Sequence, residues 1–207
     1  MNLISTPDLP RKRPAQARSV ATLETIYEAT LQVLVKEGLT GCNTTRVAER
    51  AGVSVGTVYQ YYSNRRALLA GVLKRHLESV AQAIEQACVA SQGATTGEMG
   101  AAIANAFLDA KLLRADACRA LYAISESHGG AALVAIARER MLCAVCGVLS
   151  SASDRQIAKV ETVALVLLGA VAGPVRELLE QDYDDAAVNL VREQLVNLAS
   201  GYLQSFP

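Results

Sequence analysis

Apolar residues recur at helical intervals along most of the chain, and no stretch alternates strictly enough to suggest a strand. From Ser19, Leu23, Ile26, Tyr27, Thr30, Leu31, Leu34 and Val35 share one face of a helix that Gly38 is expected to stop. After a loop over 38–41, Asn43 or Thr44 can cap a short helix with Val47, Ala48 and Ala51 facing inward, and Gly52 ends it. Ser54 caps the next helix, over 55–61. The chain breaks at Ser63-Asn64 and restarts as a long amphipathic helix through Leu68, Leu69, Val72, Leu73, Leu77, Val80, Ile84 and Cys88. The Gly, Ser and Thr of 91–100 make a loop, and His128-Gly129-Gly130 punctuates again. Helices are expected over 99–113, 115–127 and 131–149, then from a cap at Ser153 or Asp154 to Leu179, and finally over 185–203. The pattern predicts an all-α protein of about nine helices without internal repeats.

Composition agrees, since Ala, Val and Leu supply the bulk and only 4% of residues are aromatic. Charge adds an asymmetry that the net value of zero conceals. Up to His76 there are eleven Lys and Arg against five Asp and Glu; beyond it there are nine against fifteen. A basic N-terminal part suits a polyanion, whereas the acidic, apolar remainder suits self-association or a small hydrophobic ligand. Residues 1–18 carry Pro7, Pro10 and Pro14 around Arg11, Lys12 and Arg13 and lack apolar periodicity, so they are expected to form a flexible basic arm ending at Arg18. A DNA-binding domain over 19–79 and a helical domain over 80–207 would follow.

The stretch Thr44-Thr45-Arg46-Val47-Ala48-Glu49-Arg50-Ala51-Gly52-Val53-Ser54-Val55-Gly56-Thr57-Val58-Tyr59-Gln60-Tyr61-Tyr62 has the form of a helix-turn-helix. The glycine turns the chain, Val53 packs inward, Ser54 caps the second helix, and small Ala48 and Ala51 allow close crossing. The second helix would enter the major groove with Thr57 and Gln60 as readers, while the first spans the backbone. With Ser63-Asn64-Arg65-Arg66-Ala67-Leu68-Leu69, this stretch closely resembles the TetR/AcrR family of one-component transcriptional regulators, by motif over about Arg18 to Leu73.

The resemblance implies an N-terminal three-helix DNA-binding domain followed by a helical ligand-binding and dimerisation domain, acting on double-stranded operator DNA as a homodimer. By it, Thr44 and Tyr59 would touch phosphates, Thr45, Val55, Thr57 and Gln60 would face bases, and Tyr61 would lie beside the DNA backbone. Arg46, Ser54 and Gly56 complete the DNA-facing set. Arg65, where the family usually has Lys, would start the next helix beside a phosphate. Tyr62 stands where Phe is usual. Val55 stands where many relatives have Lys, so apolar contact with a thymine methyl replaces one polar contact and the operator sequence is expected to differ. The basic arm, with Arg11, Lys12, Arg13 and Arg18, either follows the minor groove or adds phosphate contacts.

In the remainder, Val163, Leu167 and Val171 on one helix and Val191, Leu195 and Tyr202 on the last are the candidate dimer contacts, because both helices look apolar on more than one face. The resemblance also implies a cavity for a small-molecule effector, for which Asn105, Tyr122, Ser125 and His128 are candidate polar anchors. Release of DNA on effector binding is the expected sign, with ligand activation the alternative. Cys143 and Cys146 have redox or metal spacing inside a predicted helix, which makes a redox-sensing regulator a further alternative, but no second Cys or His pair accompanies them, so no metal and no cofactor is expected. The odd count of five cysteines and the lack of an apolar leader suggest reduced thiols in a cytoplasm. The uncharged run 162–175 is shorter than the roughly 20 residues that cross a bilayer, so it reads as a buried helix and no membrane partner is expected. With two histidines and no nucleophile-base frame or phosphate loop, neither an all-helical enzyme nor a ligand carrier explains the basic N-terminal motif.

Overall fold

The computed structural model describes residues 13–125, 130–181 and 183–207, with the backbone path alone for 13–18. Among the described residues there are nine helices and no strand: α1 (Arg13–Gly41), α2 (Thr44–Ala51), α3 (Val55–Tyr61), α4 (Arg65–Ala90), α5 (Thr96–Leu112), α6 (Ala115–Ser125), α7 (Gly130–Leu149), α8 (Val160–Glu180) and α9 (Asp185–Gln204). The chain divides into two compact units, Met1–Arg65 and Arg66–Pro207.

In the N-terminal unit, α1 begins at Arg13, so 13–18 are helical where an arm was expected; Arg11 and Lys12 lie outside the described residues. Ile26, Leu31, Val33 and Leu34 of α1 are buried, as are Val47 and Ala48 of α2 and Val58 of α3. Val33 takes the inward place expected for Val35, which is exposed. Gly38, with non-helical backbone angles (φ 70°, ψ −179°), interrupts α1 where a stop was expected, and one further short stretch runs to Gly41.

The C-terminal unit is built around α8, whose Val163, Ala164, Leu167, Leu168, Val171, Val175, Leu178 and Leu179 are all buried. They pack with Val80 and Ile84 of α4, Ile103 and Leu108 of α5, Val145 and Val148 of α7, and Leu195, Ala199 and Leu203 of α9. By length and composition α8 is apolar enough to cross a membrane, yet this inner face lies in the core of the unit. The approach of α5 to α9 depends on Gly100, where a Cβ would come within 2.7 Å of the Ala199 backbone.

The start of α8 corrects the sequence expectation. Neither Ser153 nor Asp154 caps it; the helix begins at Val160 after Lys159, which adopts a left-handed conformation (φ 54°). Asp154 instead caps α5, accepting hydrogen bonds from the Thr96 amide (2.8 Å) and hydroxyl (2.9 Å). Those bonds hold its carboxyl below the usual carboxylate range. Thr95 and Glu98 complete a reciprocal capping box at the same terminus.

Candidate functional site

The helix-turn-helix owes its shape to two caps and a glycine. Asn43, extended at φ −134°, accepts the Arg46 amide through its side chain (3.0 Å) and so starts α2. Gly52 ends α2 in the left-handed region (φ 65°), where a side chain would be strained, and its amide bonds to the last carbonyls of the helix. Ser54 then starts α3 by accepting the Thr57 amide (3.0 Å), and Val58 anchors α3 inward.

This scaffold leaves Thr45, Arg46, Ser54, Gly56, Tyr59 and Gln60 exposed, with Val55, Thr57 and Tyr61 half-buried. Several are already engaged within the protein. The Thr57 hydroxyl pairs with Ser54 Oγ at 2.8 Å, and Thr44, which is buried, shares a 3.3 Å hydrogen bond with the Tyr59 hydroxyl. Tyr61 donates to Ser19 Oγ (3.2 Å), tying the end of α3 to α1. Arg46 is ion-paired with Glu37 of α1. Arg65 does start α4, but its guanidinium donates to the carbonyls of Leu39 and Cys42, which pins the corner between α1 and α2. Gly56 is not demanded by packing, since an added Cβ would meet only Ser54 Oγ at an ordinary 3.6 Å.

The C-terminal unit holds two adjoining hollows of about 310 and about 200 Å³ that share Leu77, Lys111, Tyr122, Val134 and Arg176. Val80, Phe107, Met141 and Leu168 make the larger one apolar; His76, Cys118 and Ser125 face the smaller. Of the expected anchors, Tyr122 and Ser125 line the cavity, and Ser125 donates to the Tyr122 carbonyl (2.7 Å). Asn105 does not line it: its amide donates to the Ala101 carbonyl and its Oδ1 accepts from Arg192, tying α5 to α9. His128 lies outside the described residues.

Lys111 and His76 are the cavity groups that the sequence reading passes over. Lys111 is only 8% exposed, and burial lowers its pKa. Its ammonium lies 5.3 Å from the ring centre of Tyr122 and 5.9 Å from that of Phe107, and Arg176 stacks on Tyr122 at 5.2 Å. His76 Nε2 is 3.3 Å from Cys118 Sγ, whose single proton goes to the Lys111 carbonyl (3.1 Å). The imidazole therefore donates from Nε2 to the sulfur. Burial, helped by the charges of Lys111 and Arg114, pushes the His76 pKa down to about 4, so the ring is neutral. Burial also pushes Tyr122 up to about 12, keeping it a neutral hydroxyl donor.

Burial bears on the candidate dimer contacts and on the Cys143–Cys146 pair. Val163, Leu167, Val171 and Leu195 lie in the core of their own unit and present no surface to a partner, while Val191 and Tyr202 are half-buried and pack against that core. The exposed apolar side chains of α8 and α9 are Leu165, Val166, Leu190 and Leu198. Cys143 is exposed and Cys146 half-buried on α7, where burial raises the Cys146 pKa and works against a reactive thiolate. No group of three or more His, Cys, Asp or Glu among the described residues could hold a metal.

Two family models match: bacterial regulatory proteins of the tetR family over residues 26–72, and the tetracyclin repressor-like C-terminal domain over residues 95–203. The chain belongs to the TetR family. This TetR-family protein joins the N-terminal helix-turn-helix of bacterial regulatory proteins to a tetracyclin repressor-like C-terminal domain. Over 65 residues it is 32% identical to the uncharacterized HTH-type transcriptional regulator YvkB of Bacillus subtilis, a match covering 31% of the chain. The chain spans about a third (34%) of the length of that curated relative. Its fold is similar to that of a TetR-like transcriptional regulator from Rhodococcus sp. RHA1 (TM-score 0.67, 19% identity, 96% of this chain and 100% of that one). It is also similar to FadR from Bacillus subtilis, solved with stearoyl-CoA (TM-score 0.66, 18% identity, 86% of this chain and 98% of that one).

Proposed function

We propose that this TetR-family regulator is a cytoplasmic repressor that binds a palindromic operator as a homodimer and leaves it when a small, apolar effector fills the cavity of the C-terminal unit. The observation that carries the DNA-binding part is the capped α3, which projects Tyr59 and Gln60 into solvent beside an exposed, sterically optional Gly56. A glycine that internal packing does not require leaves room for a phosphate backbone to approach. On this reading Gln60 and Thr45 read base edges, Val55 and Thr57 offer methyl groups and a hydroxyl to the same groove, and Thr44 with Tyr59 supplies phosphate contacts. Arg65 acts through position: it holds the α1–α2 corner that presents Thr45.

Dimerisation falls to the outer faces of α8 and α9, where Leu165, Val166, Leu190 and Leu198 remain exposed. Such a two-fold dimer presents two α3 helices to half-sites about 34 Å apart or a multiple of that. The apolar cavity supports the effector reading, and the FadR neighbour is a regulator solved with an acyl-CoA. Release follows if the effector binds the DNA-incompetent arrangement more tightly than the competent one.

The test is electrophoretic mobility shift with the DNA upstream of the chain's own gene, alongside light scattering. Sequence-specific retardation by a dimer supports the reading. A monomer at micromolar concentration, or retardation indifferent to sequence, removes it.

A further inference from the structure

Resting on the reading of the C-terminal cavity as the effector site, we propose that this cavity selects an apolar organic anion, whose charged group pairs with the Lys111 ammonium while its apolar body lies against Phe107, Met141 and Leu168.

The described lining holds Lys111, Arg138 and Arg176 and no Asp or Glu. Arg176 is satisfied by Glu180 (2.6 Å) and by the Tyr122 ring, whereas among the described residues Lys111 has only ring faces before it. Taking an ammonium out of water carries a desolvation cost that ring faces return only in part. The C-terminal carbonyls of α5, whose last turn contains Lys111, return a further small part. The charge is thus held at a net cost that an incoming anion removes. A neutral guest would cover the ammonium with hydrocarbon and raise that cost, and a cationic guest would add repulsion from three like charges. Neutral His76 and un-ionised Tyr122 bring no competing negative charge to the cavity. Its volume of about 310 Å³ lies at the small end of ligand sites, which suits a single short amphiphile.

The experiment is isothermal calorimetry on the full-length protein with three probes of equal chain length: decanoate, decanol and decyltrimethylammonium. Decanoate is expected to bind at least about tenfold more tightly than decanol, and decyltrimethylammonium more weakly than either. In Lys111→Met, which keeps the length of the side chain, decanoate falls to the level of decanol while decanol is unchanged. Lys111→Arg keeps the preference for the anion and guards against a merely structural effect of the Met variant. Equal or tighter binding of decanol or the cation overturns the proposal, as does a preference that survives in Lys111→Met or an absence of saturable binding by all three probes. Mobility shift with decanoate tests the underlying reading separately. Decanoate bound through Lys111 without change in DNA retention leaves the anion site standing and removes the effector role.

Discussion

The two units use the same cation chemistry in opposite surroundings. In the N-terminal unit Arg46 is exposed and, like Arg50, engages a polar side chain of α1, where water and salt weaken each attraction. In the C-terminal unit Lys111 is enclosed by aromatic rings, with a buried neutral imidazole lining the same cavity. A charge left in water suits a long polyanion, met through many weak contacts over an open face. A charge removed from water suits a single small anion, met once at close range. On the proposed reading, stability and recognition are separable in the N-terminal unit, where exposed side chains project from α3, and intertwined in the C-terminal unit, where the cavity is cut into the core.

That separation can be broken by measurement. The largest effect is expected from Ile103→Ala, which empties a fully buried site in the C-terminal core and should cost about 2–5 kcal/mol in chemical denaturation. A cost under about 1 kcal/mol would mean that this core does not hold the unit together. Next comes pH. The folded His76 pKa of about 4 lies below the unfolded value of 6.5, so between these limits the unfolded chain binds the proton and the folded one does not. Stability is then complete above pH 6.5 and declines as pH falls towards about 4, by up to about 3 kcal/mol. Thermal unfolding of His76→Gln across this window should lack that contribution; an unchanged slope would assign it to other groups.

Gln60→Ala sharpens the contrast from the other side: about 1–3 kcal/mol of operator affinity lost in fluorescence anisotropy, with stability kept within about 0.5 kcal/mol. Should stability fall by as much as affinity, the reading face would not be separable from the fold. The smallest effect is Ser54→Ala, which removes the α3 cap and is expected to lower stability by about 1 kcal/mol. It also strips Thr57 of its hydroxyl partner, so this variant should register in both assays.

Where structure follows from contacts close in sequence, the chain was legible. Asn43, Gly52 and Ser54 each act within three or four residues, and the helix-turn-helix they define stands where the pattern put it. Asp154 illustrates the opposite case: it sits where a cap for α8 was expected, yet its carboxylate serves Thr96, 58 residues earlier. Only folding brings those two together. Four of the six dimer candidates, Val163, Leu167, Val171 and Leu195, are core residues for a related reason, because an apolar stripe does not say which of two apolar faces turns inward; Leu167 went to the core and Leu165 to the surface. The cavity was partly visible. Lys111 continues the stripe Ile103, Phe107 at four-residue spacing and His76 lies between Val72 and Val80, so each is a polar residue on a buried face. That signal marks a special site, but the distance to an aromatic ring and the lack of a carboxylate among the described lining residues require the folded neighbours.

The Ser54–Thr57 hydroxyl pair carries a further consequence for reading DNA. Ser54 Oγ already accepts the Thr57 amide, and either hydroxyl can supply the proton that joins the two oxygens. With Ser54 donating, Thr57 turns an O–H outward and suits an acceptor such as guanine O6 or thymine O4. With the proton reversed, the same oxygen offers lone pairs to the amino groups of cytosine or adenine. If α3 meets base edges as proposed, a facing base chooses the direction of one shared proton at little cost, and position 57 becomes a tolerant reader, leaving discrimination to side chains such as Gln60 that carry donor and acceptor at fixed places.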